Sequence, residues 1–165
     1  VKQMRFVLIA VTICMSSIAC RAETLCPWIN AATASGILEG DAGSTAEKPP
    51  EVNSTACIFT YREKDISREL RITVEQKQNA EHDFQARKTQ CGRSADELRA
   101  VGNEAVLCPV KNRGHEYTAE IIGRVRDSVF TIRVSGGGEK DKAFSQEALE
   151  QKVKLAAGQV VGNLY

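Results

Sequence analysis

Cysteine and histidine are the side chains in this sequence best suited to chemistry, and there are six of the first and two of the second. Cys26, Cys57, Cys91 and Cys108 are widely scattered. Neither a Cys-x-x-Cys nor a His-x-x-x-His pair is present, so zinc ligation fits the spacing less well than oxidation does. Four cysteines make an even set, which in an oxidising compartment implies two disulfides. We expect Cys26 to pair with Cys57, tying the first helix to the first strand. Cys91 would pair with Cys108, closing the middle helix onto the next strand.

The histidines are poorly placed for catalysis. His82 lies in a polar segment between Glu81 and Asp83, where a solvated surface residue is the simplest reading. His115 adjoins Glu116, but neighbours in a strand point to opposite faces and make a poor dyad. Nucleophilic catalysis needs nucleophile, base and orienting group within hydrogen-bond reach, and no Gly-x-Ser-x-Gly, phosphate loop or His-Glu-x-x-His is present. Gly136-Gly137-Gly138 has no Lys-Ser/Thr after it and reads as a flexible connector. Glu39 and Asp41 sit in a Gly-rich loop without an apolar setting to raise either pKa. Asn53-Ser54-Thr55 has the form of a glycosylation acceptor but directly precedes a strand. Trp28, the one tryptophan, is read as packing over a disulfide or a core edge. No catalytic, metal or cofactor-binding residues are therefore assigned.

The compartment is set by the first residues. Lys2 and Arg5 precede an apolar run from Phe6 to Ala19, 14 residues that include Cys14 and end on small side chains. A helix that spans a bilayer needs about 20, so the run reads as a secretory signal peptide. Val1 fits a bacterial start at a non-AUG codon, or a start at Met4. The leader is taken as residues 1–22 and the remainder, 23–165, as a single exported domain large enough for its own core. Ser17-Ile18-Ala19-Cys20 admits two outcomes. Ser17-x-Ala19 is a small-x-small cleavage site, and Cys20 is also placed as the lipidated cysteine of a lipobox, though Ser17 stands where such signals usually carry Leu. Cleavage is the preferred expectation.

Charge excludes one class of partner. The chain has 22 basic and 21 acidic residues. The leader removes Lys2, Arg5 and Arg21, so the mature domain is slightly acidic. It lacks the positive field that releases counterions from a polynucleotide, and nucleic acid is not an expected partner.

The elements follow from periodicity. Asn30 caps a helix over Ala31–Leu38, with Gly40 at the left-handed C-terminal position. Glu39 to Asn53 reads as a loop. Ala56–Tyr61 is a strand with Cys57, Phe59 and Tyr61 on one face. Leu70–Glu75 is a second, with Leu70, Ile72 and Val74 inward. The charged link Arg62 to Glu69 reads as a solvated hairpin tip. Asn79–Gln90 is a surface helix with a thin stripe of Ala80, Phe84 and Ala86. Val101–Val110 is a turn into a short strand that Pro109 ends at an edge or bulge. Glu116–Ser135 is a hairpin turning at Arg126-Asp127-Ser128. The last element is an amphipathic helix with Ala148, Leu149, Val153, Ala156, Ala157, Val160, Val161 and Leu164 on its stripe. That stripe must cover the apolar sheet face, which predicts an α+β domain with a mostly antiparallel sheet, amphipathic helices packed on it, and two disulfides.

This order of elements carries a resemblance. Its markers are the capped helix near a Cys, Ala56-Cys57-Ile58-Phe59, Leu70-Arg71-Ile72-Thr73-Val74, Val101-Gly102-Asn103-Glu104-Ala105-Val106, the hairpin Ile121–Val134 and a closing Ala-rich helix. Together they resemble the small secreted or lipoprotein domains of unknown function common in actinobacteria, which look like the PsbP-type α+β fold. Cys91, Cys108 and the weak lipobox depart from that pattern, and the family supplies no catalytic residues. The expected function is a non-catalytic domain of the cell envelope, periplasmic or extracellular, that binds a small ligand or an envelope protein. Membrane contact would come only through a lipid on Cys20. A small secreted hydrolase using His115, and a structural lipoprotein anchored at Cys20, are the rival expectations.

Overall fold

A computed structural model describes residues 26–47, 53–110, 116–137, 141 and 143–165. The leader with Cys14 and Cys20, its boundary at Ala22, His115 and Gly138 lie outside the described residues.

The first helix, α1 (Ala31–Leu38), starts where expected, because the Asn30 side chain accepts the Thr33 N–H at 2.8 Å and satisfies one orphan donor. Its C-terminus differs. Glu39, not Gly40, takes the left-handed conformation, with φ 51°. Gly40 is required for another reason: a Cβ there would lie 2.3 Å from the Tyr61 ring.

The segment read as a loop after Glu39 contains β1 (Gly43–Glu47), which pairs antiparallel with β2 (Ser54–Glu63). Its side chains are mostly exposed, so it lacks the apolar alternation that betrays a half-buried strand. β2 runs into β3 (Ile66–Gln76) through the two-residue turn Lys64-Asp65, with Glu63 opposite Ile66. Arg62 to Glu69 is thus mostly strand rather than a solvated tip. After α2 (Ala80–Cys91), capped by Asn79, comes β4 (Asp96–Glu97), a two-residue strand with no periodicity to announce it. Three strands then follow: β5 (Glu104–Cys108), β6 (Tyr117–Val125) and β7 (Ser128–Gly136). β5 stops immediately before Pro109, and β6 turns into β7 at Arg126-Asp127. Ser145 caps the closing helix α3 (Gln146–Gly162) by accepting the Ala148 N–H.

All seven strands form one antiparallel sheet in the order β1-β2-β3-β7-β6-β5-β4. Alternation sends Phe59, Leu70, Ile72, Phe130, Ile132, Ile121 and Val125 to one face, all essentially fully buried. α3 lies there across β6 and β7, and α1 packs beside it on β2 and β3. The stripe Leu149, Val153, Ala156, Ala157, Val160 and Val161 is the surface α3 buries. Burying each large aliphatic side chain contributes about 1.5–3 kcal/mol. Gly123 admits the Phe130 ring, which a Cβ would meet at 2.3 Å.

α2 packs on the opposite face, but only over its β5–β6–β7 end. Ala80 and Phe84 close a second, smaller cluster with Val106, Cys108, Ile122 and Val129, whereas Ala86 is exposed. The fold is therefore α+β, and helices sit on both sides of the sheet. Both disulfides join elements as expected. Cys26–Cys57 ties the start of α1 to β2 with Cα atoms 5.6 Å apart, and Cys91–Cys108 ties the end of α2 to β5 at 5.2 Å. Among the described residues, no helix is long and apolar enough to cross a membrane.

Candidate functional site

α2 packs over the β5–β6–β7 end of its face, and β1, β2 and β3 build the other end. Strand register determines which side chains meet on this face. Thr45, Ile58, Arg71, Arg133 and Glu120 form one row across β1, β2, β3, β7 and β6. The next row holds Glu47, Ala56, Thr73, Thr131 and Ile122. Arg71 bonds along its own strand, from Nε to Glu69 at 3.3 Å, and toward the β1 edge, from Nη1 to Glu47 at 3.2 Å. Arg133 bonds the other way, its Nε and Nη2 both reaching a single carboxylate oxygen of Glu120. Arg87 arrives from α2, placing Nη2 2.6 Å from Glu75 and Nη1 3.4 Å from the Thr131 hydroxyl.

Beside this row, where the end of α2 meets β6 and β7, the surface sinks into a hollow of about 260 Å³. Its polar wall is Arg87, Gln90, Glu120 and Arg133, and its apolar wall is Pro109, Val110 and Ile122 with the Cys91–Cys108 disulfide. The disulfide and the β-ladder hold both walls in place. A second hollow of about 170 Å³ lies on the other side of α2, where Lys88 pairs with Glu97 and holds its carboxyl below the usual range.

A separate charged cluster is buried under the core face. Arg68, in the segment read as a solvated tip, is 7% exposed, and Asp141 is 5% exposed. The two form a bidentate pair, Nε and Nη2 each 2.8 Å from a carboxylate oxygen. Nη1 donates to the Leu38 carbonyl at 2.7 Å and to that of Glu39 at 3.2 Å, which satisfies carbonyls left over at the end of α1. The guanidinium lies 4.0 Å from the Phe144 ring centroid and 5.3 Å from that of Tyr61. Its hydrogen bonds to Asp141 outweigh burial and raise its pKa further above the ordinary arginine range. Next to it, Lys152 pairs with Glu39. Gly136 and Gly137, read as a flexible connector, are packed here instead. A Cβ on Gly137 would meet the Phe144 carbonyl at 2.2 Å.

The sequence-assigned residues are thus dispersed. Cys26–Cys57 belongs to the core, with Trp28 buried beside it and accepting a bond on its carbonyl from Asn163. Cys91–Cys108 lines the hollow. His82 is on the exposed face of α2, 3.8 Å from Asp83. Among the described residues, no group of three or more His, Cys, Asp or Glu could hold a metal ion. Arg71, Arg87 and Arg133 were not singled out by the sequence. The alternation of strands β3 and β7 places Arg71 and Arg133 on the polar face, but their adjacency needs the β3–β7 pairing, which brings together segments some 60 residues apart. No family model, curated protein or solved structure matches the chain.

Proposed function

We propose that this protein is a non-catalytic binding domain of the cell envelope, exported by its N-terminal leader, which takes a small ligand or a partner's side chain in the hollow beside Cys91–Cys108. The observation that carries the reading is the hollow itself, which has a polar wall, an apolar wall and a frame closed by a disulfide and a ladder. Small-ligand sites combine those features: preformed concavity, apolar surface and a few fixed polar groups. Two disulfides also suit an exported chain, since such bonds persist in oxidising compartments. The resemblance to exported actinobacterial domains is part of the same proposal and rests on the quoted sequence stretches and element order.

The test is to fill the hollow without touching the core. Gln90 is exposed on α2 and lines the hollow, so Gln90→Trp should block it and leave the fold intact. Small-molecule pools would be screened against wild type by ligand-observed NMR, with turnover of hydrolase substrates followed in parallel. Binding lost in Gln90→Trp supports the proposal. Turnover by wild type, or ligands held equally well by the filled variant, overturns it.

A further inference from the structure

We propose that the arginines at the middle of the face on which α2 packs receive the acidic head of a small organic anion, a carboxylate or a phosphate, whose body lies in the hollow. The inference rests on the reading of the hollow as the binding site and adds the chemical class of its ligand.

Arg71 and Arg133 are directly opposite on neighbouring strands and share a face. Directly opposed residues have Cβ atoms about 5 Å apart, and like charges in that position are destabilising. Here the two cations adjoin across β3 and β7, with carboxylates on the flanking strands at Glu47 of β1 and Glu120 of β6 and along β3 itself at Glu69 and Glu75. The carboxylates engage each guanidinium without separating their stems.

Donors remain for a ligand. A guanidinium carries five N–H groups. Arg71 uses Nε and Nη1, and Arg133 uses Nε and Nη2. Among the described residues, Nη2 of Arg71 and Nη1 of Arg133 have no bond. The two side chains are 40% and 50% exposed. Thr131 is two residues from Arg133 on the same face of β7, about 7 Å along the strand. It is also the residue that Arg87 reaches. Arg133 and Arg87 therefore both adjoin Thr131, which faces Thr73 across the same two strands that carry Arg133 and Arg71, with Arg87 already paired to Glu75. An oxyanion there would bridge Arg71 and Arg133 and relieve their repulsion, in the geometry that arginine forks suit. Arg87 and Arg133 also line the hollow, whose wall of Ile122, Val110 and Pro109 fits an apolar body attached to that head.

The experiment is a ¹H–¹⁵N NMR titration of the mature protein at low salt, with succinate in one arm and inorganic phosphate in another. Neutral succinamide is the control. Saturable shifts at the amides of 71–73 and 131–133 with either acid, and none with succinamide, are expected, and the arm that binds more tightly identifies the head group. Arg133→Gln and Arg71→Gln should each weaken binding at least tenfold. Arg124→Gln, on the same face but paired with Glu104, should bind as wild type. The same spectra report whether each variant is folded. The inference falls if neither acid gives saturable shifts, or if both Arg variants bind as wild type. A neutral compound that occupies the hollow equally in wild type and Arg133→Gln would overturn the anion and leave the binding role standing. If acids and neutral pools alike leave the hollow unshifted, both fall.

Discussion

Asp141→Ala should destabilise the protein by about 3–5 kcal/mol, the range seen when one partner of a buried ion pair is removed. The size follows from what Arg68 would face. Both carboxylate oxygens of Asp141 accept from it at 2.8 Å, and both residues are almost wholly buried. Without the carboxylate, the guanidinium keeps, among the described residues, the Leu38 and Glu39 carbonyls, the Phe144 and Tyr61 rings and the more distant Glu39 carboxylate, which Lys152 already engages. Dipoles and π-faces compensate a full charge only in part. Arg68→Met in the same background removes that charge, so Arg68→Met/Asp141→Ala should be more stable than the two single losses added together. The coupling should be at least about 1 kcal/mol, as for residues in one network. Urea denaturation of the four proteins measures it, with an unchanged slope certifying that all unfold alike. Alkaline pH gives a second reading. A raised folded-state pKa adds stability that is complete below the unfolded value and lost only as pH rises through the folded one. For Arg68 both values lie beyond the working range, so this pair should cause no loss of stability up to pH 10. An Asp141→Ala cost under 1 kcal/mol would refute the reasoning, because it would mean that the pair is hydrated.

Gly123→Ala drives a Cβ into the fully buried Phe130 ring, so it should cost about 1–3 kcal/mol as overpacking does, read by the same denaturation. Non-reducing peptide mapping should recover Cys26 joined to Cys57 and Cys91 joined to Cys108. Replacing Cys91 and Cys108 by Ser should cost about 3 kcal/mol for a sequence separation of 17. A chain ending before Gln146 should lose cooperative unfolding by circular dichroism, since it uncovers the face that α3 buries.

What could be read from the sequence follows from the range of the interactions involved. α1 announced itself through the Asn30 cap, which acts over three residues, and α2 and α3 through apolar stripes at helical spacing, whereas their caps at Asn79 and Ser145 emerge only in the structure. β3, β6 and β7 announced themselves through alternation, because one face of each is buried. β1 and β4 carried no such signal, being exposed edges held by backbone bonds that any side chain permits. Gly40 was placed by its freedom of φ, whereas the structure uses its missing Cβ beneath Tyr61. That requirement depends on a contact 21 residues away and has no local mark.

The two arginine clusters show the same limit from opposite sides. Arg68 and Arg71 are three residues apart on one strand and look equally solvated in the sequence. The odd spacing puts them on opposite faces of the sheet. Arg68 then pairs with Asp141, 73 residues later, and Arg71 lies on the face where α2 packs, away from the β5–β6–β7 end that the helix covers. A buried guanidinium that spends four of its five N–H groups on a carboxylate and two carbonyls, between two rings, is an anchor for the chain. Half-exposed arginines opposed in register across two strands, each bonded to its own carboxylates, retain unbonded donors and repulsion. Only the second arrangement gains by adding an anion. The parity of three residues in a strand thus separates a structural arginine from one that can bind.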